Sequence, residues 1–96
     1  MHKITFAPEA ALDYRNLPAH QRAAVRDAVN VCLRHQPERE SKSRIKRLRD
    51  LQKPQYRLRV GEIRVFYDVT SRGVEVLGIV EKQGAADWLN RMGVTS

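Results

Sequence analysis

The chain has 96 residues, 42% apolar and 30% charged, with 18 Lys and Arg against 11 Asp and Glu and a net charge of +7. That size supports a single domain over residues 1–96 with a modest core, and that balance of apolar and charged residues excludes a disordered chain. One cysteine excludes an intrachain disulfide, and His2, His20 and His35 match no metal-ligand spacing, so neither metal nor cofactor is expected.

The opening MHKITFAPEA carries no apolar leader, and no apolar run in the chain is long enough to span a membrane, so a cytoplasmic protein is expected. HKITF reads as a short strand with Ile4 and Phe6 on one face. Pro8 suits the first turn of a helix over PEAALDYRN, with Glu9 near the positive end of its dipole. A second helix runs from Pro18 to about His35, where Val25, Ala28, Val29, Cys32 and Leu33 recur at helical spacing. Pro37 stops it. Cys32 falls on the apolar side and reads as a structural thiol. The pair makes a helical hairpin whose apolar stripe must lie against another layer.

Residues 38–53, ERESKSRIKRLRDLQK, are the most basic part of the chain. Ile45, Leu48 and Leu51 recur every third residue and are expected to tie a turn or short helical piece to the core. Lys46, Arg47 and Arg49 stay wet as a phosphate-facing surface.

In QYRLRVGEIRVFYDV, residues 55–69, Tyr56, Leu58 and Val60 share one face of a strand. Ile63, Val65, Tyr67 and Val69 share one face of the next. A type II′ turn at Gly61–Glu62 pairs Val60 with Ile63, Leu58 with Val65 and Arg57 with Phe66. It also sets Arg59 opposite Arg64, a destabilising juxtaposition of like charges. TSRG is a second turn with Gly73 suited to a left-handed position, VEVLGIV a third and central strand, and GAADWLNRM a closing helix that Trp88 and Leu89 anchor on the sheet and Gly93 stops.

The order is β-α-α-β-β-β-α, an α+β fold of two layers. The helical hairpin covers one sheet face. Arg57, Arg59 and Arg64, with Phe66 beside them, are left on the other, an open and concave one suited to phosphate and single-stranded RNA, or to a carboxylate-rich peptide. Removing Arg64 is expected to leave folding intact. Cleavage of RNA needs charge stabilised on the phosphoryl oxygens, which arginine does well, and protons moved, which it does poorly. Tyr67, Lys82, Glu81 or a histidine is the better proton carrier.

The string YRLRVGEIRVFYDV, preceded by RLRDL and followed by an apolar strand, resembles the RelE/ParE superfamily of toxins from bacterial type II toxin–antitoxin systems, over nearly the whole chain. The resemblance implies a RelE-like fold: a mainly antiparallel sheet with a helical hairpin on one side. It implies a cognate antitoxin protein as partner and binding of operator DNA by the toxin–antitoxin complex. The RelE branch is a ribosome-dependent mRNA endoribonuclease, an mRNA interferase that cuts without a metal and inhibits translation. Its basic strand positions match Arg57, Arg59 and Arg64, and a basic position after the last strand matches Lys82; Tyr67 is an added candidate. Gln83 and Leu89 depart from that branch, standing near an arginine and a tyrosine of its nucleases. The alternatives are a ParE-type toxin acting on DNA gyrase without catalysis, and a catalytically degenerate member.

Overall fold

The computed structural model describes residues 1–95. In chain order its elements are β1 (Ile4–Phe6), α1 (Pro8–Arg15), α2 (Ala19–Leu33), β2 (Ile45–Arg47), β3 (Leu51–Lys53), β4 (Tyr56–Val60), β5 (Ile63–Thr70), β6 (Gly73–Glu81), a 3-10 turn (Lys82–Gly84), α3 (Ala85–Met92) and β7 (Val94–Thr95). β1, β6, β5, β4 and β2 form one sheet in that order, and β3 pairs with β7 in a second. Pairing in the main sheet is antiparallel except for β1 on β6. The fold is thus mixed α+β with a mainly antiparallel sheet. No helix among the described residues is long and apolar enough to cross a membrane.

The β4–β5 hairpin takes the expected register: Val60 meets Ile63, Arg59 meets Arg64, Leu58 meets Val65 and Arg57 meets Phe66. Gly61 has φ +59° and Glu62 a negative φ, which is the backbone of a type II′ turn. Every apolar residue of the inward set is thereby placed on one face. Tyr56, Leu58, Val60, Ile63, Val65 and Tyr67 join Val25, Ala28, Val29 and Leu33 of α2 in the core. Cys32 packs half-buried at its edge.

Three expectations are corrected. Residues 45–53 form no helical piece. Ile45–Arg47 extends the sheet beside β4, because Ile45 alternates inward opposite Leu58 while Lys46 turns outward opposite Arg57. The third strand, β6, is interior but not central; β5 holds the middle. Finally, the fold is not two-layered throughout, since α3 lies on the face opposite α1 and α2.

That last placement follows from three residues. Phe66 points outward from β5 and is apolar, so it demands a cover. Trp88 of α3 supplies it, the two rings stacking at 4.8 Å and 8°. Gly78, the β6 partner of Phe66, makes the room: a Cβ there would clash with the Trp88 indole. β6 also carries a bulge at Leu77, where the register against β5 shifts. The bulge leaves the Ile79 amide to donate to Asp13 of α1 at 3.2 Å, which fixes the helix on the strand.

Asp68 lies buried beside the β3–β4 connection and accepts the Gln55 amide at 2.8 Å, while the Gln55 side chain accepts the Val69 amide at 2.9 Å. Burial, opposed by that amide and Lys53, pushes the Asp68 carboxyl above its ordinary value. A raised carboxyl binds its proton more tightly when folded, so its contribution to stability falls as pH rises from the unfolded value through the folded one. Asp68→Asn keeps the acceptor and removes the buried charge. Its melting temperature relative to wild type is expected to rise between pH 4 and pH 7, checked by circular dichroism.

Candidate functional site

The outward side chains of β2, β4 and β5 gather the cations. Lys46 stands opposite Arg57, and Arg59 opposite Arg64. The 41–44 loop continues the pattern, for Arg59 donates its amide to the Arg44 carbonyl at 2.8 Å and the Arg44 guanidinium reaches back to the Arg59 carbonyl at 3.4 Å. The result is a groove of about 460 Å³ lined by Lys42, Ser43, Arg44, Lys46, Arg57 and Arg59, among others. Lys42 and Arg44 belong to it as fully as the strand arginines. They come from a bend that the Ser41 hydroxyl closes by accepting the Arg44 amide at 3.1 Å, and sequence spacing gives no sign of it.

Among the described residues no carboxylate forms an ion pair with Arg57, Arg59 or Arg64; the ion pairs are Arg26–Asp27 and Arg49–Glu40. Glu40 is the carboxylate on the groove wall, and both its oxygens are engaged, one by the Arg47 amide at 2.8 Å and one by Arg49 at 3.5 Å. Arg57 is half-buried, and its Nε is buried without a hydrogen-bond partner. An unpaired buried donor is costly, so Arg57 gains from any acceptor towards which its guanidinium can turn.

Arg64 does not lie open as expected. It is 6% exposed, and its guanidinium folds over the turn to donate to the carbonyls of Gly61 at 2.8 Å and Ile63 at 3.1 Å. This is how the hairpin tolerates two facing arginines: one head group turns back onto its own backbone. Burial first, then Arg57 and Arg59, push the Arg64 guanidinium below its ordinary value. Its removal would free two turn carbonyls, so it carries structural weight that the sequence reading did not assign to it.

Two other candidates are not on the open face, Phe66 against expectation and Tyr67 in keeping with its inward register. Phe66 is fully buried beneath Trp88 and offers no ring to a base. Tyr67 is fully buried on the core side, stacked on Tyr56 and donating its hydroxyl to the Pro37 carbonyl at 2.6 Å. Burial, then Tyr56, pushes its phenol far above the ordinary value, which removes it as a proton carrier. Tyr67→Phe strands a buried carbonyl and is expected to cost about 1–3 kcal/mol in denaturant unfolding, with anion binding by the folded protein unchanged.

The remaining candidates are dispersed. Arg47 projects to the side of Tyr56, its guanidinium 5.2 Å from that ring. Arg49 is held by Glu40. Lys82 is exposed in the turn after β6, where its amide donates to the Glu62 carbonyl at 2.7 Å, at the hairpin-turn end of the sheet. Gln83 donates to Glu81 at 2.6 Å. The arrangement can therefore grip an anion through several guanidinium and ammonium groups and stabilise charge that develops on it.

No protein-family model matches the chain, and no curated protein sequence matches it. Among solved structures it is similar to a chain of the RelB–RelE antitoxin–toxin complex from Methanococcus jannaschii, with a TM-score of 0.68 and 20% identity over 88% of this chain and 96% of that one. At that identity the likeness is one of fold.

Proposed function

We propose that the chain is the toxin of a type II toxin–antitoxin pair and acts as a RelE-type ribosome-dependent mRNA endoribonuclease. One observation carries this reading: Arg57 and Arg59 share a groove with Lys42, Arg44 and Lys46, and neither strand arginine has an acidic partner. The shared fold with a chain of a RelB–RelE complex supports it. A chain with its own core and a charge of +7 suits the member that acts on an anionic target. Arg57 and Arg59 would hold the phosphoryl oxygens while the neighbouring 2′-hydroxyl attacks, and Lys82 would assist from the turn end.

The ParE-type reading, a toxin that blocks DNA gyrase without catalysis, draws on a different observation. The groove presents fixed charge, and its one carboxylate is already engaged on both oxygens. The deciding experiment adds purified protein to translating ribosomes and maps new mRNA ends, beside a gyrase supercoiling assay. New ends with normal supercoiling support the nuclease. Intact mRNA with blocked supercoiling transfers the assignment to the gyrase toxin. Neither effect, in a protein whose expression does not slow growth, removes the toxin reading.

A further inference from the structure

The arginine groove opens into a second groove. This one, of about 470 Å³, lies between α2 and the β4–β5 turn, and the two share Ser43, Arg44 and Arg59. The rest of its wall is of another character. Ala24, Ala28, Val31 and Cys32 come from α2, and Val60 and Gly61 from the hairpin. Ala24 and Val31 sit on a side rotated from the core stripe, next to Ala28 and Cys32 at the edge of that stripe, so an apolar strip reaches the surface there. Val31 is 76% exposed there.

The neighbouring compartment dictates what such a slot fits. A ligand that bridges both must be anionic at one end and flat or apolar at the other, with guanidinium groups at the junction. A nucleotide has this shape: its phosphate seeks the fork of an arginine, and its base stacks on guanidinium planes and apolar walls. The volume lies within the range of roughly 300–1,000 Å³ common to small-molecule pockets. We infer that the second groove is a nucleoside subsite, taking the ribose and base next to a phosphate held by Arg44 and Arg59. This rests on the RNA reading above and adds a base-binding position to it.

Asp27 is the one acidic side chain on this wall, paired on its outer side with Arg26 at 3.5 Å. Its carboxylate accepts hydrogen bonds and donates none. Adenine, cytosine and guanine each offer it an exocyclic amino group, whereas uracil offers only its single ring N3–H. An amino-bearing base is therefore expected to be held more tightly than uracil.

Amide shifts of the isotope-labelled protein, titrated separately with inorganic phosphate, AMP and UMP, test the assignment. Inorganic phosphate is expected to shift Ser43 and Arg59. AMP is expected to shift these and also Ala24, Ala28 and Val31, and to bind more tightly than UMP. Val31→Gln, an uncharged change at an exposed position, is expected to weaken AMP about tenfold while leaving phosphate unchanged. Arg59→Ala weakens both. AMP and phosphate shifting the same residues, or AMP binding unaltered by Val31→Gln, overturns the subsite and leaves the arginine groove standing. UMP matching AMP overturns the role of Asp27. No binding by any probe overturns the groove reading as well.

Discussion

Trp88→Ala is expected to destabilise the protein by about 3–5 kcal/mol, the range for truncating a large buried aromatic. Trp88 is 5% exposed, stacks on Phe66 and fills the space above Gly78. Its loss uncovers an apolar ring on the sheet and leaves α3 without its one buried anchor. For a chain of this size that is a fall in melting temperature of at least about 10 °C. Circular dichroism is the measurement, since Trp88 is the sole tryptophan and its removal abolishes the intrinsic probe. A shift under a few degrees would mean that α3 is an ornament on the sheet rather than its second cover. Gly78→Ala approaches the same packing from below and is expected to act in the same direction.

Arg59→Ala carries the largest expected effect on activity. Arg59 is exposed, lines both grooves and has no acidic partner. Truncation leaves the inward face of β4 untouched and relieves the charge facing Arg64. Stability is expected to hold within about 0.5 kcal/mol, as for surface positions, or to rise. If the protein is a nuclease, cleavage is expected to fall by on the order of 10²–10³-fold, the effect of removing one preorganised donor to a developing oxyanion. Quantified mRNA ends on translating ribosomes are the readout. Arg64→Ala is the poorer test, because it also releases the turn carbonyls of Gly61 and Ile63. Full cleavage by a folded Arg59→Ala protein would remove that side chain from the mechanism.

The hairpin register was legible because strict alternation and Gly61 act together: a one-residue slip would have buried Arg57 and Arg59 and exposed Leu58. Both helices of the first half were legible from spacing and from Pro8, Pro18 and Pro37. The fate of Phe66 was not. Its cover comes from α3, far along the chain, and depends on a vacancy at Gly78. A glycine in the middle of an otherwise apolar strand, an apolar residue at an outward position and a lone tryptophan were each visible, but their meeting is a tertiary event. Tyr67 was read from its chemistry, while its partner, the Pro37 carbonyl, is 30 residues away. Arg64 was read as a head group aimed at solvent. Local sequence carries no mark that a guanidinium will fold back onto its own turn. The three-residue strand at Ile45–Arg47 was missed because so short a run shows no periodicity of its own.

The parallel pairing of β1 with β6 has a consequence for the life of the chain before it is fully folded. Ile4 must find Val74, and Phe6 must find Val76, across most of the sequence, whereas the β4–β5 hairpin closes over two residues. Local closure runs ahead of distant closure. In the interval β6, whose VEVLGIV stretch is low in charge and free of proline, has one edge unpaired. An apolar strand with an open edge is a template for other copies of itself. β1 is thus a guard strand: three residues whose hydrogen bonds to β6 close the edge on which aggregation would begin. Weakening them, for instance by proline at Thr5, is expected to send the newly made protein into insoluble aggregates while its basic hairpin remains correctly formed.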